Sequence, residues 1–253
     1  MRILIKNQTT NTYPCVLHFA GQVIARQNCS LKNASKTCKV VELLLKLQKK
    51  QNLSYLDKQL TIVTTHNYKL TSLVEKTLSS LGFNNVINVG KHVQQWLNFL
   101  KPKLVLSSLS SVTTEFVMFL DARDVCVIHL DNIIEKFKQT QCKMLFGAEC
   151  YNYPLTKESK DFLWHENLAK KFHKYKCGPA FLNSGQWIAR TNDAKFFLMD
   201  TVKVKPLQEN PHSDQGVFKV TFKKYYPDIN LDFGAEIFQV ANALTSGFIV
   251  VQR

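Results

Sequence analysis

Two aspartates three positions apart follow a short run of large apolar residues near the middle of this chain. The run covers residues 116–120, and the carboxylates belong to Asp121 and Asp124. An apolar run without polar alternation is typical of a strand that is buried on both faces. Ligands bind where such strands leave an open α/β sheet. The two carboxylates therefore predict a Mg²⁺ or Mn²⁺ site that would hold a diphosphate, although an Asp-rich turn without metal fits the same residues.

The segments around this stretch alternate between strand-like and helix-like patterns. β-Branched and apolar residues predict strands at 60–65, 85–90 and 143–149, and spaced apolar residues predict a helix at 70–81 that Gly82 ends. Strands that alternate with helices predict an α/β fold with a mostly parallel sheet.

The remaining segments give weaker patterns. We expect helices at 128–140 and 212–223, an irregular segment at 151–180, and a strand–turn–strand unit at 180–190. The chain is long enough for one large α/β domain or two small ones.

Bulk composition excludes several classes of protein. The chain of 253 residues contains no apolar run of the roughly 18 residues that a membrane span needs, and its first residues do not form a secretory signal. The 7 cysteines are odd in number and scattered, which argues against a disulfide framework and against zinc. We therefore expect no membrane partner and a reducing, cytoplasmic location.

The net charge of +14 is the most unusual bulk property. Such an excess favours a polyanionic partner, above all nucleic acid, although a merely solvated basic surface would give the same sum. Lysines cluster together with aromatic residues that could stack on bases. The members are Lys157, Lys160, Lys170, Lys171, Lys174, Lys176, Lys219, Lys223 and Lys224, with Trp164, Phe172 and Tyr175.

A series of short motifs adds a family to this description. They occur in one order across residues 60–240. They are Val63 and Thr65, Trp96, Lys103, Asp121 and Asp124, Gly147–Glu149 with Tyr153 and Pro154, Phe181–Gly185, Asp214 with Gln215, and Leu231 with Asp232 followed by Ile237–Gln239. In this order the motifs resemble the glycosyltransferase domain of procollagen lysyl hydroxylases and its viral relatives.

The resemblance implies a GT-A-type, Rossmann-like glycosyltransferase fold and a metal-dependent reaction. The family transfers a sugar from a UDP-sugar, so Mn²⁺ or Mg²⁺ and a UDP-sugar donor, UDP-glucose first, are the implied cofactors. The two aspartates would hold the metal. Arg123 stands between them where the family usually has an aromatic residue, and its backbone would contact the nucleotide.

One family motif is displaced in this sequence. The family has a strand and a Pro-x-x-x-His motif after the segment that corresponds to 248–253, whereas here Pro14 to His18, with Gly21 beyond, lies near the N-terminus. We therefore predict a circularly permuted domain in which strand 247–252 pairs with strand 2–6 and His18 is the third metal ligand. A core histidine on an apolar strand is the alternative.

The permutation implies a division of a single domain covering residues 1–253. Residues 1–21 would be the permuted terminal strands with the metal histidine, and 22–58 a connector with a helix. The nucleotide-sugar-binding half would be 59–150, and the acceptor half 151–253.

The resemblance also assigns roles to polar residues. Asp214 would orient or deprotonate the acceptor hydroxyl, with Glu149 and Asn183 as further catalytic groups. A helix cap beside Ser213 is the plain alternative for Asp214. The implied donor-binding residues are Val63, Thr65, Trp96, Lys103, Arg123, Gly21, Ser184 and Gln215.

Three hypotheses about function follow from the resemblance and the charge together, and two of them name an acceptor. Because the charge suits a phosphate backbone, the first is a viral or phage-type enzyme that glycosylates a 5-hydroxymethylpyrimidine, such as hydroxymethylcytosine, in DNA. The second is glycosylation of a collagen-type hydroxylysine, whose own positive charge a basic protein would repel. The third is a nucleic-acid-binding module without catalytic activity.

Overall fold

The computed structural model describes residues 3–8, 10–20, 36–154, 160–172, 180–241 and 248–252. The strands within these ranges are β1 (Ile3–Asn7), β2 (Val16–His18), β3 (Leu60–Thr65), β4 (Val86–Val89), β5 (Phe116–Asp121), β6 (Val125–Val127), β7 (Met144–Glu149), β8 (Phe181–Arg190), β9 (Ile229–Asp232), β10 (Phe238–Val240) and β11 (Phe248–Gln252). The α-helices are α1 (Lys36–Leu47), α2 (Ser54–Asp57), α3 (Leu73–Leu81), α4 (Lys101–Ser108), α5 (Ile133–Gln139), α6 (Lys160–Phe172), α7 (Thr191–Thr201) and α8 (Asp214–Tyr225). None of these helices is long and apolar enough to cross a membrane.

A six-stranded sheet with the order β4-β3-β5-β8-β7-β9 forms the centre of the structure. β3 pairs parallel with β4 and β5, β7 pairs parallel with β9, and β8 runs antiparallel between β5 and β7. All strands except β8 therefore share one direction, which confirms the predicted mixed α/β fold with a mostly parallel sheet. The carboxyl ends of β3, β5 and β7 consequently meet the amino-terminal half of β8 at one edge.

The organising strand β5 contributes to both faces of this sheet. Phe116, Met118 and Leu120 pack into one apolar cluster, and Val117 and Phe119 pack into another. Successive side chains of a strand point to opposite faces, so residues of α3 and α5 cover one side and residues of α4, α7 and α8 the other. Helices on both faces explain why the strand sequence is apolar without alternation.

Two smaller sheets bring the ends of the chain to this core. β2 pairs parallel with β10 and antiparallel with β6, with His18 opposite Val125. β1 pairs antiparallel with β11, from Ile3 opposite Gln252 to Asn7 opposite Phe248. The pairing that the sequence analysis predicted between the first and last strands is therefore confirmed.

Four local predictions need correction. Segment 128–140 becomes helical only at α5, because the backbone N–H groups of Ile128 and His129 bond to the Cys15 carbonyl and Asn132 has a left-handed φ of 52°. Part of segment 151–180, expected to be irregular, forms α6, in which Leu168 and Ala169 are buried. The expected strand–turn–strand unit at 180–190 is the single strand β8, which is held on both sides by β5 and β7. The helix predicted at 212–223 begins at Asp214 and continues to Tyr225.

Helix α3 shows how local sequence fixes its position. Ser72 caps it, since its side chain accepts a hydrogen bond from Glu75 while the Glu75 carboxylate accepts one from the Ser72 backbone. Gly82 ends it with a φ of 85°, a left-handed conformation in which glycine avoids the steric cost of a Cβ. The helix start therefore lies directly after the β3 exit, where the candidate site begins.

Candidate active site in a cleft at the strand ends

Three potential metal ligands converge at the end of β5. Asp121 is its last residue, Asp124 follows in the turn to β6, and His18 comes from β2. Their ligand atoms all lie within 4.8 Å of one another, and His18 Nε2 lies 3.4 Å from Asp124 Oδ1. The β2–β6 ladder explains this proximity, because it places His18 opposite Val125, next to Asp124.

The orientation of the His18 ring is set by its second nitrogen. His18 Nδ1 lies 2.9 Å from Asn183 Oδ1, which also accepts a hydrogen bond of 3.0 Å from the backbone of Gly185. A carbonyl oxygen accepts only, so Nδ1 carries a proton, and in the neutral ring the free lone pair is then on Nε2, on the side of Asp124. That tautomer is the one a metal-binding imidazole needs.

Gly185 leaves room beside two of these ligands. A Cβ at this position would lie 2.4 Å from His18 Cε1 and 2.7 Å from Asp121 Oδ2. Contacts that short are excluded sterically, so any larger residue would push the imidazole or the carboxylate aside. The missing Cβ thus lets both ligands lie close to the β8 backbone, and the donor set of one imidazole and two carboxylates fits a divalent cation.

The charges of the cluster influence one another strongly. Burial disfavours the charged form of His18, but the neighbouring Asp124, Asp121 and Glu149 outweigh it and raise the pKa of the imidazole. Burial likewise opposes ionisation of Asp124, yet His18 and Lys101 hold the pKa of its carboxyl below the usual value. The site thus carries a surplus of negative charge that a cation would neutralise.

Lys101 is the basic residue that reaches the cluster. Its Nζ lies 2.7 Å from Asp121 Oδ1 and 3.6 Å from Asp214 Oδ2. Burial opposes its charge, but Asp121 and Asp214 together raise the pKa of the ammonium group. The side chain is therefore a positive charge held between two carboxylates that both line the cleft.

The prediction that Lys103 belongs to the donor site needs correction. Lys103 is exposed and does not line the cleft, whereas Lys101 does. Residues two positions apart in an α-helix differ by about 200° around its axis, so only one of Lys101 and Lys103 can face the site. Lys101 is the first residue of α4, and no pattern in the sequence distinguishes it from Lys103.

A buried hydrogen-bond network lines the side of the cleft nearest β7. Glu149 accepts hydrogen bonds from Gln215 at 2.5 Å and from Asn183 at 3.2 Å. The Gln215 amide also accepts from the Ser184 backbone and donates to the Tyr153 carbonyl. Burial raises the pKa of Glu149 although these hydrogen bonds oppose it. Gln215 thus connects β7 and β8 through its hydrogen bonds to Glu149 and Ser184. Part of Glu149 also lines the cleft.

Asp214 is the first residue of α8, and the preceding residue, Ser213, is the N-cap of this helix. The Ser213 side chain accepts the hydrogen bond from the Gly216 backbone. Asp214 is left with its carboxylate toward the cleft, where it accepts a hydrogen bond of 3.1 Å from Ser184 Oγ. Burial raises its pKa, with Lys101 as the main opposing influence. Ser213, and not Asp214, is therefore the N-cap residue of α8.

The other side of the cleft is formed by the exits of β3 and β4. Thr65, Tyr68, Trp96 and Arg123 all line it. Thr65 Oγ1 is buried and has no hydrogen-bond partner among the described residues, so a ligand could supply one. The whole cleft encloses about 660 Å³, a volume typical of small-molecule sites.

Two further predicted donor residues are not found in the lining. Val63 lies on the same face of β3 as Thr65 but deeper, and it is fully buried in the hydrophobic core. Gly21 lies outside the described residues. Val63 can therefore act on a ligand only by supporting Thr65.

The predicted basic and aromatic cluster is only partly a free surface. Lys170 and Lys171 are exposed, but Lys219 is buried, and burial lowers its pKa to about 8. Lys224 pairs with Asp200. Trp164 packs against Phe222 and Tyr226, and Phe172 stacks on Phe233. Lys157, Lys174, Tyr175 and Lys176 fall outside the described residues.

Comparisons with known proteins agree with this architecture. Residues 63–251 match the model of a family described as "PLOD GT domain", where GT denotes glycosyltransferase. A procollagen-lysine,2-oxoglutarate 5-dioxygenase from Drosophila melanogaster is 30% identical over 128 residues. That match covers 49% of this chain and 16% of the relative, so the chain aligns with a small part of that protein.

Proposed function

The chain belongs to the PLOD GT domain family and is a glycosyltransferase, and we propose that it transfers a sugar from a UDP-sugar to a hydroxyl group with the help of a divalent cation. One observation carries the proposal. Potential metal ligands from β2, β5 and the β5–β6 turn converge in the same cleft as a buried carboxylate, Asp214. Such a cleft can hold a diphosphate and an acceptor hydroxyl side by side.

His18, Asp121 and Asp124 would hold the cation. Two carboxylates with one imidazole suit Mn²⁺ better than Ca²⁺, and Mg²⁺ is the second choice. When bound, the cation neutralises the negative charge that develops on the leaving diphosphate. Asn183 supports this arrangement because it fixes the proton of His18 on Nδ1.

Two residues of the chain would act on the charges of the reaction. The Lys101 ammonium group lies between Asp121 and Asp214 and would attract the leaving phosphate. Asp214 would orient the acceptor hydroxyl and accept its proton, a role that its raised pKa favours. Glu149 would accept hydrogen bonds from sugar hydroxyls, and Ser184 would accept them or donate them.

The nucleoside would lie at the exits of β3 and β4. Thr65 offers an unpaired hydroxyl, Trp96 offers an indole face, and the exposed Arg123 offers a cation near the phosphates. Gln215 would contribute indirectly, by holding Ser184 and Glu149. UDP-glucose is the donor to be tested first.

A hydroxylysyl side chain of a protein is the acceptor that we place first. The name of the Drosophila relative, a procollagen-lysine 5-dioxygenase, refers to lysine in procollagen. Locally, the cleft also suits a cationic acceptor, because Glu149 and Asp214 line it on the acceptor side. Local carboxylates act at short range, whereas the net charge of the chain is screened by salt.

A 5-hydroxymethylpyrimidine in DNA is the second candidate, and the net charge of +14 favours it. An enzyme of this kind would fit a viral or phage source and the cytoplasm. The burial of Lys219 and the pairing of Lys224 reduce the basic surface that was expected to hold the DNA backbone.

Radiolabelled transfer separates the acceptors. The protein is incubated with Mn²⁺, UDP-glucose and either a hydroxylysine peptide or hydroxymethylated DNA, with EDTA as the metal control. Transfer to the peptide that EDTA abolishes is the expected result. Transfer to DNA alone would make the DNA base, and not hydroxylysine, the acceptor. DNA binding without any transfer would favour a non-catalytic binding module.

Circular permutation is a further part of the proposal. It is supported by the β1–β11 ladder and by the position of His18 beside Asp124. Joining residue 253 to residue 1 through a short Gly-Ser linker and opening the chain within 22–35 would restore the motif order of the family. We expect this variant to fold and to bind Mn²⁺ like the natural order; failure of both would contradict the proposal.

A further inference from the structure

A second histidine–carboxylate group lies at the β3 exit, away from the proposed metal ligands. Its centre is His66, which is only 1% exposed. The ring of Tyr68 stacks on it with a centroid distance of 4.7 Å and an angle of 21° between the planes. Tyr68 itself is 40% exposed and lines the cleft, so one of its faces is covered and the other is open to a ligand.

Hydrogen bonds hold the His66 ring in place. The backbone of Tyr68 donates to His66 Nδ1 at 3.1 Å, which leaves the ring proton on Nε2. His66 Nε2 lies 3.0 Å from Glu75 Oε2, and Asn88 contacts both the ring and the other oxygen of Glu75. Glu75 is itself held by the capping box with Ser72 at the start of α3. The ring below Tyr68 therefore cannot turn without breaking several buried contacts.

This support prepares Tyr68 for a planar ligand. An exposed tyrosine normally loses rotamer freedom when a ligand binds, and that loss reduces affinity. Stacking on a fixed ring restricts Tyr68 before any ligand arrives. A pre-ordered aromatic face beside a polar cleft is suited to stacking with a nucleobase, which is flat and aromatic.

The strand order indicates which part of the donor would meet Tyr68. β5, which carries Asp121, lies between β3 on one side and β8 and β7 on the other. A diphosphate at the metal ligands would therefore have Tyr68 on its β3 side. Asp214 and Glu149 would lie on its β8 and β7 side. Because the sugar must face the catalytic carboxylates, the nucleoside must extend toward β3.

We propose that the open face of Tyr68, supported by the His66–Glu75–Asn88 network, is the stacking platform for the nucleobase of the sugar donor. The inference rests on the proposed function, since it assumes a nucleotide in the cleft. Tyr68 would be a binding residue, and His66 a positioning residue that acts only through Tyr68. Stacking tolerates any base, so Tyr68 should contribute affinity without selecting uracil.

Calorimetry with two ligands tests the platform directly. UDP and inorganic pyrophosphate are titrated into the Mn²⁺-loaded protein, because both offer a diphosphate and only UDP offers a base. Tyr68→Leu should weaken UDP binding by roughly 5- to 100-fold, the range for loss of one base-stacking aromatic residue. Pyrophosphate binding should stay the same, and ADP should lose as much affinity as UDP.

Three control variants define the result. Tyr68→Phe keeps the ring and should bind UDP like the natural protein. Tyr55→Leu removes a 75% exposed tyrosine outside the cleft and should have no effect. Tyr151→Leu removes a 68% exposed tyrosine that also lines the cleft, near Glu149. A loss of UDP affinity in this last variant, without a loss in Tyr68→Leu, would place the base on the other side.

The supporting role of His66 has its own test. His66→Gln removes the ring below Tyr68, and we expect weaker UDP binding with unchanged pyrophosphate binding. A purely structural role would weaken both ligands equally or only lower the melting temperature. If His66→Gln does not fold, Tyr68→Leu still decides the proposal.

The outcomes separate this inference from the proposed function. If the natural protein binds neither UDP nor pyrophosphate, the proposed function fails. If it binds both, and Tyr68→Leu binds UDP unchanged, only the platform is refuted.

Discussion

Two buried histidines of this protein each lie beside a carboxylate at a strand exit, yet they are suited to different tasks. His18 meets Asp124 at 3.4 Å, and His66 meets Glu75 at 3.0 Å. Both imidazoles are almost completely buried. Residue types alone would therefore make the two places equivalent.

The difference lies in how much hydrogen-bonding capacity remains. Glu75 receives hydrogen bonds from Ser72, His66 and Asn88 on its two oxygens. At the other group a second carboxylate, Asp121, joins Asp124, and the ligands line an open cleft.

Carboxylate oxygens that keep free lone pairs beside an open cleft can bind a metal ion. The Glu75 oxygens already accept hydrogen bonds and can only hold their neighbours in place. The protein thus uses His18 to present a free nitrogen and His66 to fix an aromatic ring. Four substitutions test this distinction, and they follow here in order of decreasing expected effect.

Loss of a proposed metal ligand should have the largest effect. Asp121→Asn should weaken Mn²⁺ binding by more than the roughly 10- to 100-fold that loss of an outer-shell partner typically costs, and it should abolish transfer. Glu75→Gln should leave the Mn²⁺ affinity unchanged. Calorimetric Mn²⁺ titration without nucleotide checks both; equal losses in the two variants would end the distinction between the two groups.

Lys101 should matter for turnover and not for metal retention. Lys101→Met should lower the transfer rate by about 100-fold, as when one preorganised charge-stabilising group is lost. Its Mn²⁺ affinity should not fall, because removal of a nearby cation reduces repulsion. Lys103→Met, on the exposed side of α4, is the matched control. Steady-state kinetics should show no change in that control, and a large change there would restore Lys103 to the site.

Extra volume beside the ligands should weaken the metal site moderately. Gly185→Ala would place a Cβ against His18 and Asp121, and a loss of about tenfold in Mn²⁺ affinity is expected, within the range for disturbed ligand orientation. Gly234→Ala is the control, since the nearest atom to a Cβ there is 3.6 Å away. Metal titration and a melting curve of each variant distinguish a local displacement from general unfolding.

The smallest effect concerns the pH dependence of stability at Glu75. Burial opposes its charge, but hydrogen bonds from Ser72, Asn88 and His66 lower its pKa from 4.5 to about 2. A carboxyl whose folded pKa is lowered stabilises the fold above its unfolded pKa, and this contribution disappears as the pH falls through the folded pKa.

Glu75→Gln should therefore reduce the free energy of unfolding by about 1 kcal/mol at neutral pH, a value discounted for its partial exposure. The difference from the natural protein should shrink as the pH falls from 4.5 toward 2. Urea unfolding at several pH values measures it. A difference that stays constant over this range would show that charge is not what Glu75 contributes.

Local patterns in the sequence predicted much of the fold. The β-branched strand at 60–65 and the strand at 143–149 match β3 and β7 closely. The single strand β8 and helix α6 were not predicted, because segments distant in sequence determine them. β5 and β7 pair with β8 on its two sides, and α8 packs on α6.

The site divides in the same way. The sequence by itself determined the apolar strand with its two aspartates, since β propensity and the absence of polar alternation are properties of the adjacent residues 116–124. The displaced family motif predicted His18 as a partner of the two aspartates, and the structure shows how the β2–β6 ladder brings it to Asp124. Tertiary structure alone decided that Lys101 rather than Lys103 enters the cleft, and that His66 supports Tyr68. Ladder register and helix rotation decide these contacts, and both depend on how distant segments pack.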